Sequence, residues 1–181
     1  MGILKTCLAI SAAVLAVVLA TPVLAHLMMA GHGTVNIVDN GAFMVLSLPV
    51  SAFDGVDDNG DGEVSPEEFN HHHSEVIRTL SRHVILRDLD RELPLQGIML
   101  SPAAPHDDDH DHITDVTVLG RFALDNARPP LSFHVDLFGT EDDSRSLTIR
   151  ASRKSENLRH EFELTPEAPT ALLFPPADTS N

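Results

Sequence analysis

The chain has 181 residues, 43% of them hydrophobic and 22% charged, with a formal net charge of −15. That hydrophobic share excludes a wholly disordered polymer, and the negative balance excludes nucleic acid and anionic membrane surfaces as natural partners while favouring cations. A single cysteine, Cys7, and no tryptophan or tyrosine exclude a disulfide framework and weigh against an aromatic sugar-binding platform.

The first 25 residues, MGILKTCLAISAAVLAVVLATPVLA, carry one lysine, an apolar run from Leu8 to Ala20 and a Val-Leu-Ala ending. This is the pattern of a secretory signal peptide, and the run is broken by Thr21-Pro22 too early for a spanning helix of about 20 residues. Cleavage after Ala25 is expected, with an uncleaved anchor as the alternative. It removes Lys5 and no acid, leaving 156 residues with 11 basic and 27 acidic groups, a balance of −16. The expected product is an exported protein, periplasmic or secreted, with no direct membrane insertion. It is a single β-rich domain over 26–174, followed by a disordered tail over 175–181. Its thiol-free core of ordinary size is sufficient for folding.

Within that domain, TVNIV (34–38) and AFMVLSL (42–48) flank Asp39-Asn40-Gly41, whose Asn-Gly predicts a hairpin turn. DDNGDGEVSPEE (57–68) comes next. Phe69, Val76, Ile77 and Leu80 then recur at helical spacing across 66–83, with His72 and His73 on the same side. Beyond Val84 the period becomes two. Short strands are predicted over 84–88, 93–100, 115–124, 131–138, 146–152 and 158–164, with loops over 101–112 and at the Pro-rich 174–181. The predicted fold is mainly β: an antiparallel β-sandwich with a single helix inserted after the first hairpin.

The stretch 57–68 has the chemistry of a hard-cation cage. A calcium ion takes six to eight oxygens, and alternate side chains of a tightly curled loop converge on one point. With Asp57 at position 1, Asn59 falls at 3, Asp61 at 5, Gly62 at 6, Glu63 at 7, Ser65 at 9 and Glu68 at 12. Gly62 allows the sharp turn, Glu63 offers its carbonyl, and Val64 is the apolar anchor. The competing reading is an inert turn leading into a capping box, Ser65-Pro66-Glu67-Glu68. That reading leaves the register of Asp57, Asn59 and Asp61 with Glu68 without a reason.

At these residues the chain resembles the EF-hand family, with Phe53 and Val56 at apolar positions of an incoming helix and the likeness covering about 53–80, within a segment 53–83. The resemblance implies Ca²⁺, held by the side chains of Asp57, Asn59, Asp61 and Glu68 and the carbonyl of Glu63, with Ser65 acting through water. Pro49 and Gly55 limit the incoming helix to one or two turns. EF-hands usually pair loop against loop, and DDDHDHITD (107–115) lacks the central glycine and the terminal Glu of a second loop. A lone hand of this kind braces structure rather than opening a groove, with binding on the order of 10⁻⁴ to 10⁻³ M. More loosely, the whole mature chain looks like the exported domains found beside bacterial metal-transport membrane proteins, which implies an envelope or membrane-protein partner.

Eleven histidines give the alternative function, binding or delivery of Cu, Ni, Co or Zn at the cell envelope. His26, Met28, Met29 and His32 would stand at the processed N-terminus, where the α-amine and a ring nitrogen chelate copper and thioethers favour Cu(I). The bland alternative is an ordinary first strand with methionine as core filler. HDDDHDH (106–112) and HHH (71–73) are further candidates, the first otherwise a solvated loop tip and the second otherwise helix packing. His71 and Glu75 are spaced to share an ion. His160 is expected to be a satisfied core residue, and His134 to lie on a polar strand face. No G-x-S-x-G, H-E-x-x-H, phosphate loop or dinucleotide fingerprint occurs, so a binding module is expected rather than an enzyme.

Overall fold

The computed structural model describes residues 30–89, 91–104, 112–125, 130–140 and 145–176. The signal-peptide segment, His26, Met28, Met29, loop residues 105–111 and the tail from 177 lie outside the described residues.

The described chain is mainly β, with two sheets and one α-helix. In chain order the strands are β1 (His32–Val38), β2 (Gly41–Pro49), β3 (Val84–Asp88), β4 (Arg91–Leu93), β5 (Leu95–Ala103), β6 (Asp115–Ala123), β7 (Leu131–Val135), β8 (Leu147–Arg153), β9 (Leu158–Leu164) and β10 (Thr170–Leu172). The helix α1 (Pro66–His83) follows the first hairpin. One sheet has the order β5-β6-β2-β1-β8-β9 and the other β10-β7-β3-β4. All pairings are antiparallel except β1 with β8, which run parallel. A parallel neighbour so distant in sequence has no local turn signal to announce it.

Alternation along the strands builds the core between the two sheets. Val35 and Ile37 of β1, Met44, Leu46 and Leu48 of β2, and Ile149 of β8 are buried, as are Leu86 of β3 and Phe133 of β7. Phe122 of β6 meets Phe133 edge-on across the layers, with ring centroids 6.5 Å apart. Gly33 sits under this packing because a Cβ there would lie 2.5 Å from Leu46 Cδ2 and 2.6 Å from Ile149 Cδ1.

Three local differences from the predicted elements have physical reasons. In the first hairpin Val38 pairs with Gly41, so the turn residues are Asp39 and Asn40, and Asp39 takes the left-handed conformation at φ 50. The single strand expected over 93–100 is split at Pro94. That residue has no N–H to keep in a ladder, so β4 stays in the four-stranded sheet while β5 joins the other. β5 then runs on to Ala103 rather than ending at 100, and Pro102 is tolerated there because β5 is an edge strand.

At the C-terminal side, the Arg153 guanidinium lies 4.9 Å over the Phe174 ring, and Phe174 packs against the core. This cation–π contact fixes the last described turn onto β8.

Candidate metal centre

The segment between β2 and α1 is held at both ends by apolar anchors. Phe53, Val56, Val64 and Phe69 are all buried, and in place of an incoming α-helix there is one 3-10 turn, Val50–Ala52. Between those anchors the chain curls on its own side chains. The Asp57 carboxylate accepts from the N–H groups of Gly60 (2.7 Å) and Gly62 (2.9 Å). Asn59 Oδ1 accepts from Asp61 N (2.8 Å), and Asp61 Oδ1 accepts from Glu63 N (2.9 Å). Gly62 stands at φ +86, and a Cβ added there would meet nothing within 4 Å, so backbone conformation, not space, requires glycine.

Glu68 closes this curl from the first turn of α1. Its Oε1 accepts from Asp58 N (3.1 Å), and its Oε2 accepts from the N–H and hydroxyl of Ser65 (2.9 and 2.8 Å). Ser65 Oγ in turn accepts from Glu68 N, which completes a reciprocal capping box with Pro66 at the first helical position. The Ser65 N–H first, and its hydroxyl second, hold the Glu68 carboxyl below its ordinary value. Asp57, Asn59, Asp61 and Glu63 thus lie in one loop and Glu68 in the first turn of α1, all partly or wholly exposed to water, and no three of the carboxylates of Asp57, Asp61, Glu63 and Glu68 stand within 4.8 Å of one another. The cap that gives the inert reading is real. It accounts for Ser65 to Glu68, and not for the reach of Glu68 back to Asp58.

Asp58 is the residue that sequence reasoning passed over. It is the second residue of the loop and points away from the curl toward α1. His71 Nδ1 donates to its Oδ2 at 3.1 Å and His72 Nε2 donates to its Oδ1 at 2.8 Å. The two imidazoles lie with centroids 4.8 Å apart. Among the described residues, these three form the one group of three carboxylate or imidazole residues whose ligand atoms all lie within 4.8 Å of one another. The hydrogen bond to Asp58 raises the His72 ring above its ordinary value of 6.5, and the same bond lowers Asp58 from 3.8. Of the two residues spaced to share an ion, His71 turns to Asp58. Glu75 instead stands 3.8 Å from His72 Nδ1. The missing signal was a contact across 13 residues between a loop and the next turn of helix, which periodicity does not encode.

The same loop also borders a cleft of about 720 Å³ whose walls include His32, Glu63, Val64, His112 and Asp115. Ile113 N donates to Val64 O at 2.7 Å, tying the loop to the segment before β6. His112 Nδ1 is buried there without a partner. Four further described histidines are structurally engaged: His73 meets the Phe69 ring edge-on, His160 Nδ1 reaches Leu173 O at 3.1 Å, His134 Nδ1 reaches Thr170 Oγ1 at 2.8 Å, and His83 Nδ1 reaches Asp136 Oδ1 at 2.8 Å. No helix among the described residues is long and apolar enough to cross a membrane. No protein-family model matches the chain, and no curated protein matches it.

Proposed function

We propose that the protein is an exported binding module that holds one Ca²⁺ in the loop Asp57–Glu68, as a structural brace. The observation that carries this reading is the curl of the loop around Asp57, Asn59 and Asp61 with Glu68 drawn back over its start. All the donors there are hard oxygens, in keeping with calcium rather than a softer ion. The Val64–Ile113 hydrogen bond, which ties the loop to the segment before β6, supports a bracing role. The partner is the calcium ion itself, with an envelope or membrane protein as the macromolecular candidate. The test is the thermal midpoint in calcium and in chelator. A rise in calcium that disappears in Glu68→Gln supports the reading, and an identical midpoint in both conditions rejects it.

A second reading is favoured by one observation. His32 and His112, which border the two histidine-rich segments, line one cleft together with Glu63. This supports transition-metal handling at the cell envelope by His26, Met28, Met29, His32 and the 106–112 loop. Metal analysis of protein with a processed N-terminus decides it: retention of calcium alone, with Cu²⁺ binding no tighter than in a His26/His32/His112 triple glutamine variant, rejects it.

A further inference from the structure

From the geometry at the base of the loop we infer a second and chemically distinct site, in which Asp58, His71 and His72 bind a divalent transition ion of the zinc class. It does not rest on calcium occupying the neighbouring loop. One carboxylate presents its two oxygens to two imidazole nitrogens at 3.1 and 2.8 Å. Ligands bound 2.0–2.2 Å from a common tetrahedral ion stand roughly 3.3 Å apart. The three ligand atoms lie within 4.8 Å of one another, so side-chain rotation that draws the two imidazoles together would let them surround an ion, which replaces the two bridging protons.

The donor set selects the ion. Two imidazoles and one carboxylate suit Zn²⁺, Ni²⁺, Co²⁺ or Cu²⁺, whereas the adjacent loop offers oxygen alone. Three protein ligands leave at least one coordination position to water, since His71 and Asp58 side chains are 73% and 47% exposed. His72 is the fixed member, only 17% exposed, with Nε2 toward Asp58 and Nδ1 toward Glu75 at 3.8 Å. At that distance Glu75 makes no hydrogen bond to the ring, which is oriented by its contact with Asp58. The helix fixes the remaining geometry. His71 and His72 lie in the second turn of α1, directly above the cap that ties Ser65 and Glu68 to the loop. An open, exposed site of this kind exchanges its ion readily and suits transfer or sensing more than permanent structure.

The test is a titration of the calcium-free protein with Zn²⁺ by calorimetry and with Co²⁺ by NMR of the histidine ring protons. The first equivalent of Co²⁺ should broaden the rings of His71 and His72 before that of His83. The double variant His71→Gln/His72→Gln should lose one equivalent of Zn²⁺, and Asp58→Asn should bind it at least tenfold more weakly. His83→Gln, which breaks a similar surface His–Asp contact, should change neither. Glu68→Gln should retain the Zn²⁺ equivalent, which separates this site from the calcium reading. Unchanged stoichiometry and affinity in both the double variant and Asp58→Asn would overturn the inference. So would a titration with Co²⁺ to saturation that leaves the His71 and His72 resonances sharp.

Discussion

At the scale of single residues, two glycines show different reasons for the same amino acid. At Gly62 the backbone is left-handed and the surroundings are open. Alanine there costs about 1–2 kcal/mol of backbone strain without any clash, and it should also weaken calcium binding by distorting the turn. At Gly33 there is no such strain, but a Cβ meets Leu46 and Ile149 at 2.5 and 2.6 Å. Alanine there should cost about 1–3 kcal/mol through overpacking and leave calcium affinity unchanged. Urea unfolding and calcium titration of the two variants separate these cases; equal calcium affinities would refute the assigned role of Gly62. The Asp58–His72 pair gives a pH prediction of definite sign. The raised His72 value means its contribution is complete below about pH 6.5 and lost as pH rises through the higher folded value. The lowered Asp58 value means its contribution is present above about pH 3.8 and lost as pH falls through the lower folded value. Both hold between those limits. In chelator, the gap in thermal midpoint between the wild type and His72→Gln should therefore be wider at about pH 5.5 than at about pH 8.5, and an equal gap would contradict the pairing.

At the scale of elements, α1 is the piece whose sequence agrees with its structure most closely, because several signals coincide. Ser65, Pro66 and Glu68 mark its start, and Phe69, Val76 and Leu80 are its buried stripe. Two substitutions should separate those contributions. Ser65→Ala removes the cap and should cost about 1 kcal/mol. Phe69→Ala opens the core beneath the loop and should cost about 3–5 kcal/mol in denaturant unfolding. A Phe69→Ala cost no larger than that of Ser65→Ala would mean the helix is not anchored through that ring. Most strands were legible for a similar reason, since burial on one face writes a period of two into β3, β7, β8 and β9. The failures follow from pairing rather than propensity. Pro94 moves one apolar run between two sheets, and the short β10 owes its place to β7, to which it adds three paired residues. The curl of the 57–68 loop was legible because its turn and capping residues are counted along the chain. Asp58 with His71 and His72 was not, because that group is assembled only when the helix folds back over the loop.

At the scale of the whole molecule, the loop and α1 form the crossover that carries the chain from β2 of the six-stranded sheet to β3 of the four-stranded one. The Val64–Ile113 bond also ties the loop to the segment entering β6. An ion there would therefore restrain the connection between the two layers rather than a peripheral turn, and its effect belongs to global unfolding. The high negative charge complicates the measurement, since any cation relieves self-repulsion. Specific binding and screening make different predictions. With a dissociation constant on the order of 10⁻⁴ to 10⁻³ M, about 10 mM calcium supplies about 1.4–2.7 kcal/mol of stability. For a domain of this size that corresponds to roughly 3–10 °C in the thermal midpoint. Screening instead gives the same rise with sodium chloride at matched ionic strength, and leaves Glu68→Gln as responsive as the wild type. Magnesium separates the two further, because it demands near-ideal octahedral geometry and surrenders its water reluctantly. The expected order of stabilisation is therefore calcium well above magnesium, with sodium lowest and the calcium excess absent in Glu68→Gln. Equal shifts from calcium and magnesium in both proteins would assign the whole effect to charge and remove the brace from the account of the fold.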